Sequence, residues 1–71
     1  MEGFGERLKE LREQKKMGVV ALARALGVGH AVVIRWESGE NAPTMKHIVN
    51  VAQYFGVRTD YLLGLTDNPR G

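Results

Sequence analysis

The stretch that decides the fold is Val19-Val20-Ala21-Leu22-Ala23-Arg24-Ala25-Leu26-Gly27-Val28-Gly29-His30-Ala31-Val32-Val33-Ile34-Arg35-Trp36-Glu37. Leu22, Ala23 and Leu26 recur at helical spacing, and Gly18 in front of the stretch is a permissive N-cap. Gly27 follows the last periodic residue, where a left-handed C-cap is easily adopted. Beyond Val28 and Gly29 a second helix runs from His30 to about Glu37, with Val33 and Trp36 on one face. These residues predict two short helices joined by a turn of about three residues.

Upstream, from Phe4 to about Lys16, the apolar residues Phe4, Leu8 and Leu11 are spaced by four and three with charged positions between them, as in an amphipathic surface helix. Downstream, Ser38 to Ala42 form a loop, and Pro43 with Thr44 opens a helix whose inner face is Ile48, Val51, Ala52 and Phe55, closed by Gly56. Thr59 and Asp60 are natural N-caps for a short fifth helix through Tyr61, Leu62 and Leu63, closed by Gly64. The expected architecture is all-α, one domain over residues 1–71 with its core in 4–66 and a tail over 67–71 that frays.

A chain of 71 residues holds one domain and buries only about 60% of its unfolded surface. With no cysteine, neither a disulfide nor a thiolate metal site adds stability. Its two histidines are His30 and His47, and there is no HExxH, no Gly-rich phosphate loop and no recognisable catalytic pair of carboxylates. The expectation is a non-enzyme with no cofactor, no metal site and no small-molecule substrate, and with His47 facing solvent. Met1 to Gly5 lack a basic region followed by an apolar one, and charge-free runs such as Ala25–Ile34 are far shorter than the ~18 residues that span a bilayer, so a cytoplasmic protein without a membrane partner is expected.

The net charge of +2 permits a nucleic-acid partner without demanding one. Residues 1–16 hold Arg7, Lys9, Arg12, Lys15 and Lys16 against four Glu, whereas residues 17–41 hold Arg24 and Arg35 against Glu37 and Glu40. The decisive segment is locally neutral.

Two short helices around a tight Gly-containing turn form a helix-turn-helix, which lays its second helix in a DNA major groove. The flanking residues sharpen the reading: Phe4-Gly5-Glu6-Arg7-Leu8-Lys9-Glu10-Leu11-Arg12, Leu26-Gly27-Val28, Arg35-Trp36-Glu37-Ser38-Gly39 with Pro43-Thr44, and Phe55-Gly56-Val57 with Asp60-Tyr61-Leu62-Leu63-Gly64. Over residues 4 to about 67 these closely resemble the Cro and lambda-repressor type of helix-turn-helix, also called the xenobiotic-response-element family. The resemblance implies a five-helix lambda-repressor-like DNA-binding fold with the third helix as reader, a phosphate clamp at the start of the second, and frequent dimers on palindromic operators. It also implies a partly buried ion pair between Arg12 and Glu37, and a core position for Trp36.

The chain departs from that pattern on one surface. Where the family usually has Ser or Thr, then Gln, then Glu, this chain has Gly18, Val19 and Val20; where it has polar reading residues, this chain has Gly29, His30, Ala31, Val32 and Ile34. Glu40 stands in a loop where a cation often meets the backbone. Val19, Val20, Ala31, Val32 and Ile34 are expected to form an exposed apolar patch on the order of 300 to 500 Å². The first reading is therefore a scaffold whose recognition face, Val19, Val20, Gly29, His30, Ala31, Val32, Ile34 and Arg35, has been remodelled by engineering to bind a protein partner or to form a homodimer through helices 2 and 3. The alternative keeps a sequence-specific repressor on double-stranded DNA: His30 and Arg35 at base edges, Ala31 and Val32 against thymine methyls, Lys15, Lys16 and Lys46 on phosphates. His30 inside an apolar interface would make affinity change between about pH 5 and 8; the favoured, plainer reading is a partly exposed polar contact with no switching role.

Overall fold

In the computed structural model, which describes residues 3–70, five helices follow one another: α1 (Phe4–Gln14), α2 (Val19–Leu26), α3 (His30–Ser38), α4 (Met45–Phe55) and α5 (Thr59–Leu62). Residues 1, 2 and 71 of the expected domain lie outside the described residues. All regular structure among the described residues is helical.

Each helix turns one stripe inward: Leu8 and Leu11 from α1, Leu22, Ala23 and Leu26 from α2, Val33 and Trp36 from α3, Ile48, Val51, Ala52 and Phe55 from α4, Tyr61 and Leu62 from α5. Fully buried aliphatics of this kind contribute about 1.5 to 3 kcal/mol each, so a few of them dominate a domain this small.

The turn between α2 and α3 is closed by Gly27, whose φ of 75° lets the Val28 N–H reach the Ala23 carbonyl at 3.0 Å and the Gly27 N–H reach that of Arg24 at 3.3 Å. The same closure ends α1 two residues earlier than its charge pattern predicts. There the left-handed position is Lys16, φ 55°, with Met17 N–H on the Arg12 carbonyl at 3.1 Å. A side chain in that conformation costs about 1 to 2 kcal/mol.

At the N-terminus of α5 the cap is Arg58 rather than Thr59 or Asp60, which both lie inside the first turn. Asp60 accepts from Tyr61 N–H at 3.0 Å and from Arg58 Nε at 2.9 Å. The Arg58 hydrogen bond holds its carboxyl below the usual carboxylate range.

Two features of α1 are structural beyond its apolar stripe. Gly5 sits against α3 so closely that a Cβ would collide with the Trp36 carbonyl oxygen and lie 3.0 Å from that of Glu37. Arg7 is buried, with its guanidinium 4.2 Å from the Tyr61 ring centroid and bonded to Thr66 O at 3.0 Å and Asp67 Oδ1 at 2.9 Å. With Arg58 N–H donating to Pro69 O at 2.8 Å, these contacts tie down residues 66–69, where the sequence suggests fraying from 67 onward.

Candidate nucleic-acid interface

Helices α2 and α3 are bent from one another by 110° across Gly27-Val28-Gly29, within the range of DNA-reading helix pairs. Asn50 of α4 fixes the turn from beneath, its Nδ2 donating to the Leu26 carbonyl at 3.1 Å and so occupying an acceptor at the end of α2. Sequence reasoning missed Asn50, because its partner comes from an element 24 residues away.

With Val33 and Trp36 committed to the core, α3 presents Gly29 at its cap and then His30, Ala31, Ile34 and Arg35 to solvent. Ile34 is 50% exposed, and Val20 on α2 is 55% exposed. The expected five-residue patch is smaller than the sequence suggested: Val19 and Val32 are partly buried and pack against the core, leaving Val20, Ala31 and Ile34. The reason lies in helical geometry. Val19 is three and four residues before buried Leu22 and Ala23, and Val32 is four before buried Trp36, so both sit on the flanks of inward stripes.

The cations named for phosphate contacts are dispersed. Lys15 Nζ lies 5.0 Å from the Tyr54 ring centroid and 5.7 Å from that of Phe55, a cation–π contact that occupies it. Lys16 forms the left-handed turn after α1, and Lys46 is exposed in the first turn of α4. His47, expected in solvent, is half-buried with its ring 5.1 Å from that of Trp36, because the N-terminus of α4 passes over the end of α3.

Two Arg–Glu pairs meet near the end of α3. Arg12 donates from Nε to Glu37 Oε2 at 2.7 Å, from Nη2 to Oε1 at 3.0 Å and from Nη1 to Met17 O at 2.9 Å. The bond to Glu37 raises the Arg12 pKa further, keeping the guanidinium charged. Arg35 meets Glu40 at 3.2 Å between Nε and Oε2, out in solvent. The N-terminal caps of both α2 and α3 are glycines, Gly18 and Gly29, with no side-chain cap bond and open space where a Cβ would stand. Neither cap offers a side-chain acceptor to the first-turn amides, and in α3 the Val32 N–H turns to the Gly29 carbonyl at 3.1 Å.

A bent helix pair on a five-helix scaffold, with the second helix exposed along one side, defines a helix-turn-helix domain. The chain belongs to the helix-turn-helix family, whose model matches residues 8–62, and is of its Cro/lambda-repressor type. It is similar to the HTH-type transcriptional regulator YobD of Bacillus subtilis (strain 168), 33% identical over 66 residues, covering 93% of this chain and 59% of that protein. Over 55 residues it is 42% identical to (S)-2-hydroxypropylphosphonic acid epoxidase of Streptomyces wedmorensis, covering 76% of this chain but 28% of that enzyme. Among solved structures it resembles the P22 c2 repressor in complex with a synthetic operator, with a TM-score of 0.85, 26% identity and coverage of 93% of this chain and 100% of that one. The chain spans a little over half the length of the curated regulators it matches. No single helix among the described residues is long and apolar enough to cross a membrane.

Proposed function

We propose that this chain is the DNA-binding domain of a cytoplasmic transcriptional regulator that lays α3 in the major groove of double-stranded DNA. The observation that carries the reading is the outward row His30, Ala31, Ile34 and Arg35 on α3, held at 110° to α2 by a three-residue turn. It is supported by the structural similarity to a repressor solved on a synthetic operator.

His30, in the first turn, stands where such helices come nearest the bases and offers one donor and one acceptor to their edges. Ala31 and Ile34 suit the thymine methyl group, the one apolar feature of the major groove, whereas partly buried Val32 does not take the role first assigned to it. Phosphates are met by the uncapped backbone amides at the start of α2, in place of a side-chain clamp, with Lys16, Lys46 and Arg35 as charges. With so few cations near the reader, affinity rests on shape and groove fit, and non-specific binding is weak.

A second reading, a protein partner or a second copy on the same face, keeps the exposure of Val20 and Ile34 in its favour but loses Val19 and Val32 to the core. Fluorescence anisotropy of a labelled random-sequence duplex at roughly 20 and 200 mM salt separates the two. Binding at low salt that weakens as salt rises supports the DNA reading; a folded protein that binds no duplex at low salt overturns it and leaves the apolar face to a protein.

A further inference from the structure

Arg35 is the only cationic side chain on the outward row of α3, yet it is already engaged by Glu40, Nε to Oε2 at 3.2 Å. Glu40 is not placed there by chance rotamers alone. Its loop is folded onto the Arg35 backbone: the Arg35 carbonyl accepts from Ser38 Oγ at 3.1 Å and from Asn41 N–H at 3.3 Å, and Ser38 Oγ in turn accepts from Glu40 N–H at 3.3 Å. The turn that ends α3 therefore carries the carboxylate back to the side chain of the residue it is anchored on. Both groups stay in water, 49% and 66% exposed, so the pair is weak and can be exchanged.

We propose, resting on the DNA reading, that Glu40 is an internal competitor for Arg35: the carboxylate occupies the guanidinium until a DNA acceptor oxygen displaces it. Two consequences follow. Non-specific affinity is lowered, because a phosphate contact by Arg35 must first break the internal pair. The salt dependence is lowered as well, because an arginine already neutralised from within releases fewer counterions when it meets DNA. Glu40 thus tunes how much of the protein's affinity is indifferent to sequence, without itself touching a base.

The test is a comparison of the full chain with Glu40→Gln, Arg35→Gln and the double variant, all checked for folding by Trp36 fluorescence, on a random-sequence duplex across roughly 20 to 200 mM salt. Glu40→Gln should bind about three- to tenfold more tightly at the low end, with a log–log salt slope steeper by about one. In the Arg35→Gln background the Glu40→Gln gain should largely vanish; a gain that persists there means simple repulsion of phosphate and overturns the competitor role. Wild-type binding with no gain in Glu40→Gln also overturns it while leaving the DNA reading intact. Absence of binding by the folded wild type at low salt overturns both the DNA reading and the competitor role.

Discussion

The two Arg–Glu pairs at the end of α3 use the same chemistry to opposite ends. Arg12 and Glu37 are joined through two parallel bonds, with side chains 13% and 9% exposed and a third bond to Met17 O, and they lock α1 to α3. Arg35 and Glu40, two residues before and three after Glu37 along the chain, touch once and in solvent. Burial and bidentate geometry make the first pair part of the fold, since removing either partner strands a charge in a low-dielectric seam. Water around the second makes it exchangeable, which suits a face that must meet a ligand. The seam side of the molecule, with Gly5 pressed against the Trp36 and Glu37 carbonyls, is built to be rigid; the outward side is built to be free.

Substitutions can break this contrast. The largest effect is expected for Glu37→Ala, which leaves Arg12 without its carboxylate and should lower stability by about 3 kcal/mol in urea titrations followed by Trp36 fluorescence. Gly5→Ala should cost about 1 to 3 kcal/mol, because α1 must move off the Trp36 carbonyl. Lys16→Gly should stabilise by about 0.5 to 1 kcal/mol, seen as a higher Tm, by relieving the left-handed backbone against the added entropy of glycine. On the outward side, His30→Ala and Ile34→Ser should change stability by less than about 0.5 kcal/mol while weakening duplex binding by at least about tenfold. Smallest is the acid limb. Because Arg58 depresses the Asp60 pKa, that carboxylate supports the fold above the ordinary range near pH 4 and loses its contribution as pH falls through its lowered value, so Asp60→Asn should flatten unfolding there.

Much of this was legible in the residues. The spacing of Leu22, Ala23, Leu26, Val33 and Trp36 and the glycine at 27 define α2, the turn and α3 because helical period and left-handed caps are local properties. Arg7 was hidden by its charge, although it lies three residues after Phe4 and four before Leu11 and so shares their face. Gly5 and Asn50 depend on contacts with distant elements, α3 and the end of α2, which no local pattern encodes. For the candidate site, the exposed members of α3 followed from the buried ones, but Val19 and Val32 were misplaced. An eight- or nine-residue helix in a small domain buries the flanks of its stripe as well as the centre.

The central claim, that the outward side of α3 is the DNA surface and the α1–α3 seam is scaffold, is tested most directly by amide chemical-shift mapping of the protein on addition of duplex DNA at low salt. The account predicts shifts concentrated at Gly18–Val20 and Gly29–Arg35, reversed by added salt, with Gly5, Arg7 and Leu62 unmoved. Shifts centred on the α1–α5 end, or none in a folded sample, would contradict it.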